Sequence, residues 1–73
     1  MRAEIVIRSL KPDGEVFEYS DYIYNTFNKT VDQFKKFVEN NAEEYARESC
    51  EYVGPDELDY VGIVEINFDE DEL

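Results

Sequence analysis

The sequence predicts a single small α+β domain with the element order β-β-α-β. Its three strands are expected to form an antiparallel sheet in the order 2-1-3, with one helix packed on one face. The 73 residues are 42% hydrophobic and 15% aromatic, which is typical of a folding chain rather than a disordered acidic one. Two β-branched segments, one long segment of helical periodicity and a final β-branched segment give the element order. We expect the domain to span residues 1–68 and residues 69–73 to form an acidic tail.

The first strand is predicted over residues 3–10. Ile5 and Ile7 share one face of it, and Val6 and Leu10 share the other. A strand with apolar residues on both faces is expected at the centre of a sheet.

The second strand returns from a tight turn. Residues 11–14 read Lys-Pro-Asp-Gly, in which proline presets φ and glycine accepts a positive φ. Residues 15–24 then alternate, with Phe17 and Tyr19 on one side. We expect a bend near residues 20–21 within this segment.

The helix has the strongest signals. Residues 30–33 read Thr-Val-Asp-Gln and fit a capping box, in which Thr30 and Gln33 each satisfy a backbone amide of the other. Apolar residues at spacings of three and four predict one buried stripe, widened by Phe37. The stripe consists of Val31, Phe34, Val38, Ala42 and Tyr45. We expect the helix to run to about Cys50 and to end before the Gly-Pro pair at 54–55.

The third strand is predicted over residues 60–68. Strict alternation places Val64, Ile66 and Phe68 on one face and Ile63, Glu65 and Asn67 on the other. A right-handed crossover brings this strand back parallel to strand two, so a position beside strand one makes the sheet antiparallel throughout.

The composition argues against catalysis and against a cofactor. The chain has no histidine, which excludes imidazole as a base or metal ligand. Cys50 lies near Glu48 and Glu51, and neighbouring carboxylates disfavour a reactive thiolate, so we expect a structural cysteine. A pair of carboxylates acting as acid and base would need a cleft for which so small a domain has little room. We predict that the protein is not an enzyme.

Metal binding and membrane association are also disfavoured. Asp56, Glu57 and Asp59, or residues 69–72, offer oxygen ligands, but neither group has the pattern of an EF-hand loop. Solvated acidic surface is the preferred interpretation of both. The lone cysteine, the missing signal-peptide pattern and the absence of about 20 consecutive apolar residues predict a cytoplasmic protein.

The net charge of −12 lies entirely in the second half of the chain. Residues 1–36 contain six acidic and six basic residues, whereas residues 37–73 contain thirteen acidic residues and Arg47. We expect Arg47 to pair with Glu43. The predicted partner-binding residues are the carboxylates of the helix and of the following turn, with Tyr52 as an aromatic anchor. They are Glu39, Glu43, Glu44, Glu48, Glu51, Tyr52, Asp56, Glu57 and Asp59.

This acidic surface predicts a basic protein partner, and a nucleic-acid-binding protein fits best. We expect an inhibitor that mimics nucleic-acid charge and blocks a DNA- or RNA-binding enzyme. In size and acidity the chain resembles the small anti-restriction and anti-CRISPR proteins of phages and mobile elements. That resemblance is one of composition and scale and assigns no residue roles. Direct binding to nucleic acid or to an anionic membrane is opposed by the charge.

The alternative is an adaptor or assembly module that binds through the exposed edge of strand three. Edge pairing would also permit a homodimer. In that case the acidic half would serve solubility.

Overall fold

The computed structural model describes residues 1–52 and 58–69, apart from the side chain of Tyr52. The elements are β1 (Arg2–Leu10), β2 (Val16–Tyr24), α1 (Val31–Tyr52) and β3 (Asp59–Asp69). Within these residues the sheet has three strands, in the order β2-β1-β3, and β1 is antiparallel to both neighbours. The predicted α+β class, element order and strand order are therefore confirmed. Residues 70–73 of the predicted tail and the Gly-Pro pair lie outside the described residues.

The turn between β1 and β2 forms as its residues indicate. Gly14 adopts φ 88°, and its N–H donates to the Lys11 carbonyl at 2.9 Å. The Asp13 carboxylate accepts the Glu15 N–H at 2.9 Å. Because glycine tolerates positive φ without steric cost, the hairpin closes at this position.

β2 is continuous, so the predicted bend near residues 20–21 is wrong. Its register with β1 is unbroken, and Ser20 and Asp21 pair with Val6 and Ile5. The Asp21 carboxylate accepts the N–H of Tyr22 at 2.9 Å. Sheet pairing overrides the turn preference of these polar residues, and the aspartate covers an edge amide instead of starting a turn.

The helix begins with the predicted capping box. The Thr30 N–H donates to Gln33 Oε1 at 3.1 Å, and the Gln33 N–H donates to Thr30 Oγ1 at 3.3 Å. α1 ends at Tyr52, two residues beyond the predicted end. No helix among the described residues has the length and apolar character that crossing a membrane requires.

The buried stripe of α1 follows a spacing of four residues throughout. Its members are Phe34, Val38, Ala42, Ala46 and Cys50. The prediction placed Tyr45 in this stripe, but Tyr45 is 37% exposed. Four residues advance the helix by about 40° more than a full turn, so the stripe winds around α1 and reaches Ala46 instead.

The core lies between α1 and the sheet face formed by alternate residues of β1. Ala3, Ile5 and Ile7 are fully buried there. Phe34 meets Phe68 of β3 edge-on, with ring centroids 6.3 Å apart. The interior is therefore one small layer of side chains.

Two bulges interrupt β3 where it pairs with β1. The register shifts beside Val6 and again beside Arg8, leaving Val64 and Val61 as the extra residues of β3. Both are at least half exposed, and Ile63 packs on the core in place of Val64. The prediction that Val64 shares a face with Ile66 and Phe68, and Ile63 the opposite one, is wrong because each bulge inserts a residue and reverses the alternation beyond it.

Candidate functional site

The side chains of α1 outside the buried stripe fall into three rows, each at a spacing of four residues beside or opposite that stripe. The outer row, opposite the sheet, contains Lys36, Asn40, Glu44 and Glu48. The β3-side row contains Lys35, Glu39, Glu43, Arg47 and Glu51. The β2-side row contains Phe37, Asn41, Tyr45 and Ser49. The three rows divide the predicted acidic residues between two neighbouring sides of the helix.

All five predicted glutamates of α1 are solvent-exposed. Three ion pairs occur among the described residues, and none involves these glutamates. The expected ion pair between Arg47 and Glu43 is also absent among the described residues. The Arg47 guanidinium instead lies 4.7 Å from the centroid of the Tyr60 ring. The negative charge of α1 is thus not neutralised by ion-pair contact within the described part of the chain.

The basic residues are held mainly by aromatic rings. Of the seven in the chain, five place their charge over a ring. The contacts are Arg2 on Tyr22, Lys11 on Phe17, Lys29 on Phe27 and Phe37, Lys35 on Phe68, and Arg47 on Tyr60. Such contacts are favourable by about 0.5–1 kcal/mol each at exposed sites. They place the cations along the sheet and its borders, away from the outer row of α1.

An open depression of ≈ 270 Å³ lies between the outer row and the β2-side row. Its lining consists of Phe37, Asn41, Glu44, Tyr45 and Glu48. The Phe37 and Tyr45 rings meet edge-on, with centroids 6.5 Å apart. One wall is therefore aromatic and the other is acidic.

The Asn41 amide is oriented by a hydrogen bond within the helix. Its Nδ2 donates to the Phe37 carbonyl at 2.7 Å. The amide oxygen has no hydrogen-bond partner within residues 1–52 and 58–69. Together with Glu44 and Glu48, it gives the depression three side chains with open acceptor oxygens.

The β3-side glutamates are separate from this depression. Glu43 lies near Tyr60, where burial and then the negative charge of Glu43 raise the pKa of the Tyr60 phenol. Arg47 occupies the same surface and lowers that pKa in part. The β3-side row thus has mixed charge, whereas the acidic residues of the outer row lie beside acceptors and rings.

A second polar cluster lies on the sheet face away from α1. Glu4 accepts hydrogen bonds from Asn67 Nδ2 at 3.1 Å and from the Tyr22 hydroxyl at 3.4 Å. The Asn67 bond is the main cause that holds the pKa of Glu4 below its usual value. This carboxylate is already satisfied by its neighbours, in contrast to Glu44 and Glu48.

The acidic side of the depression was predicted from the sequence, whereas its aromatic wall was not. The prediction that Phe37 widens the buried stripe is confirmed, because its partly buried side chain packs against the core, and the same side chain also borders the depression. Tyr45 was assigned to the stripe, and Asn41 was not singled out. The available signal is the spacing of these three residues at 37, 41 and 45, which places them in one row beside Glu44 and Glu48.

The remaining predicted site residues lie away from the depression or outside the description. Asp59 is exposed at the start of β3. Asp56, Glu57 and the side chain of Tyr52 lie outside the described residues. No group of three or more carboxylate or thiol side chains in the described ranges is arranged to hold a metal ion. Comparison of the chain with protein-family models, with curated proteins and with solved structures finds no match.

Proposed function

We propose that this protein binds a basic, nucleic-acid-binding protein through α1 and inhibits it by mimicking nucleic-acid charge. The main supporting observation is the set of five exposed glutamates on α1 that form no ion pair within the described residues. The proposal involves no catalysis and no cofactor. The net charge of −12 opposes direct binding of nucleic acid or anionic lipid.

The spacing of the charges suits a surface that binds phosphates. From Glu39 to Glu51 the helix rises by about 18 Å at about 1.5 Å per residue. Five carboxylates over this length give one charge per about 4–5 Å, compared with about 3.4 Å per nucleotide along a DNA strand. Attraction over this distance would speed association with a basic groove and would weaken as salt is added.

Folding alone does not favour this charge pattern. Glu44 and Glu48 stand four residues apart, and Glu51 follows three residues later, so each pair repels across the helix surface. The last turn of α1 contains no basic residue. Lysine at these positions would interact better with the negative end of the helix. The glutamates therefore need another explanation, and binding to a basic partner supplies one.

The test is capture of the partner followed by competition. The immobilised protein is exposed to lysate of its native host at low salt, and bound proteins are eluted with a salt gradient and identified by mass spectrometry. We expect a nucleic-acid enzyme to elute at moderate salt. Adding the nucleic acid that this enzyme binds should also release it from the immobilised protein. Simultaneous binding of the enzyme to both would contradict charge mimicry.

A matched pair of variants locates the binding surface. The double variant E44K/E48K reverses two charges on α1, and E15K/E65K makes the same change in net charge on the hairpin and sheet. We expect the first to abolish capture and the second to retain most of it. Normal binding by E44K/E48K would overturn the proposal.

The second candidate is an assembly module that pairs through a sheet edge. The observation favouring it is β2, a nine-residue edge strand with no break in register. The sequence pointed to strand three, but bulges of the kind found in β3 discourage pairing, so β2 is the better candidate.

The free part of the β2 edge can be identified from the ladder. The Lys11 N–H donates to the Glu15 carbonyl at one end of the β1–β2 ladder, and the Asn25 N–H donates to the Met1 carbonyl at the other. Both bonds join odd-numbered residues. Because bonded and non-bonded pairs alternate along an antiparallel ladder, the even-numbered residues of β2 turn their backbone groups outward. At one end Asp21 already binds the Tyr22 N–H, which leaves residues 16–20 as the segment that a second strand would use.

Proline at Ser20 separates this candidate from charge mimicry. The substitution S20P removes an outward backbone donor and keeps the backbone hydrogen bonds between β2 and β1. We expect it to abolish a dimer detected by sedimentation in 1 M salt if the edge pairs. A monomer at every concentration in the unsubstituted protein would dismiss the candidate.

A further inference from the structure

We propose that the depression between the outer row and the β2-side row of α1 binds an arginine side chain of the partner protein. The inference rests on the proposed function, and it names the chemical group that α1 recognises. It assigns a role to Asn41 and Tyr45 as well as to Glu44 and Glu48.

The acceptor arrangement matches a guanidinium group. Arginine offers five N–H donors in one plane and no acceptor. Its counterparts in the depression are the carboxylates of Glu44 and Glu48 and the amide oxygen of Asn41, whose amide nitrogen is already bonded to the Phe37 carbonyl. These three side chains line one depression and follow one another at spacings of three and four residues, so a planar fork of donors that enters it meets acceptors on more than one side.

The aromatic wall provides the face on which the guanidinium stacks. Tyr45 is 37% exposed and its ring borders the depression. The neighbouring Phe37 already holds a cation, because Lys29 Nζ lies 5.3 Å from its ring centroid. The Tyr45 ring forms no such contact within the described residues and is open to an incoming cation. The ≈ 270 Å³ volume lies just below the range of about 300–1,000 Å³ usual for ligand pockets, which suits one side chain.

Other occupants fit less well. A lysine ammonium is a compact, strongly hydrated charge with three donors, and it cannot stack flat on Tyr45 while contacting three separated acceptors. An anion would be repelled by Glu44 and Glu48. A divalent cation would find aromatic carbon along one wall, where it needs oxygen ligands.

No lysine or arginine among the described residues forms an ion pair with Glu44 or Glu48. Residues 53–57 and 70–73, which lie outside the description, contain no lysine or arginine. Lys29 is held over Phe27 and Phe37, and Arg47 lies over Tyr60 on the opposite flank of α1. The arginine must therefore come from another molecule.

The experiment titrates the full chain with three capped tripeptides, acetyl-Gly-Xaa-Gly-amide, in which Xaa is arginine, lysine or citrulline. Citrulline keeps the planar shape of arginine and removes its charge. Binding is followed by NMR through the side-chain amide of Asn41 and the ring protons of Tyr45. We expect the arginine peptide to shift both sets of signals at low salt. Lysine should bind about tenfold more weakly, and citrulline should cause no saturable shift.

Two double variants provide the control. E44Q/E48Q removes both charges of the depression, and E39Q/E43Q removes two charges from the β3-side row of the same helix. We expect the first pair to reduce arginine affinity by at least about tenfold and the second by less than about threefold. Y45L should weaken arginine binding and leave the far-ultraviolet circular dichroism of the fold unchanged.

The outcomes separate this site from the proposed function. Equal binding of the arginine and lysine peptides, or equal loss in both double variants, would overturn the arginine site. Salt-dependent capture of a nucleic-acid enzyme would still support charge mimicry in that case. Selective arginine binding combined with capture of no nucleic-acid enzyme would retain the site and overturn the mimicry.

Discussion

Replacing Glu48 with lysine is expected to stabilise the fold, because this glutamate is repelled by acidic neighbours on the same helix. Glu44 stands four residues before it and Glu51 three residues after it, and all three are exposed. Residues at these spacings lie about 5–6 Å apart at Cβ. E48K would turn two repulsions into two attractions.

The size of the gain follows from these two pairs. A like-charged pair destabilises a helix by about 0.2–0.5 kcal/mol, and an oppositely charged pair stabilises it by a similar amount. Reversing both pairs therefore adds about 1–2 kcal/mol to the free energy of unfolding. For a domain of this size each kcal/mol raises the Tm by about 4–8 °C. E48Q, which only removes the repulsion, should give about half the gain.

Thermal unfolding followed by circular dichroism measures the effect. The melts are made in 10 mM salt and repeated in 1 M salt, where screening shortens the Debye length to about 3 Å and should remove most of the gain. D32K is the matched control, because it makes the same charge change at the positive start of α1 and should lower the Tm. A Tm of E48K at or below that of the unsubstituted protein would refute the reasoning. A gain that persists fully in 1 M salt would refute its electrostatic basis.

Three further predictions concern the fold. T30A removes one half of the capping box, so urea denaturation should show a loss of about 1 kcal/mol that T30S largely restores; an unchanged midpoint would contradict a capping role. F34A empties the centre of the core at a cost of about 3–5 kcal/mol. Since a chain of this length has about 4–11 kcal/mol in total, F34A should lose a large part of its stability and melt at a much lower temperature, and a near-native melt would argue against that packing. Burial and then the hydrogen bond to Cys50 raise the pKa of Tyr19 above 10.0. The folded state therefore holds the phenolic proton more tightly than the unfolded chain, and stability should fall as the pH rises above about 10. Y19F should lessen this decline in urea titrations between about pH 9 and pH 11, and an identical decline would assign it to other groups.

The regular features of the fold were predictable because each has a local cause. The Lys-Pro-Asp-Gly turn and the Thr30 capping box act within four residues, and both formed as the sequence indicates. The end of α1 was located to within two residues from the glycine and proline that follow it.

The features that the sequence could not predict depend on partners distant along the chain. The bulges of β3 arise where its residues meet β1, and alternation within β3 does not reveal an inserted residue. The expected bend in β2 failed for the same reason, since pairing with β1 outweighs the turn preference of Ser20 and Asp21.

The candidate site was half predictable. Charge pattern and helical spacing identified Glu44 and Glu48 as exposed. The contribution of Asn41 and Tyr45 required knowing how the buried stripe winds around α1, which depends on the twist of the sheet beneath it. Helical spacing alone assigned Tyr45 to the buried stripe, whereas it lies in the β2-side row next to it.

The position of Cys50 provides a built-in reporter of how the molecule opens. It is the single cysteine of the chain, and its thiol is buried where the helix meets two strands. Its sulfur lies 3.1 Å from the Ser9 hydroxyl of β1 and accepts the Tyr19 hydroxyl of β2 at 3.2 Å. A thiol reagent can therefore reach the sulfur only when the C-terminal part of α1 separates from the sheet. The labelling rate in native buffer, compared with that of the unfolded chain, thus measures the free energy of this separation without denaturant or an added probe.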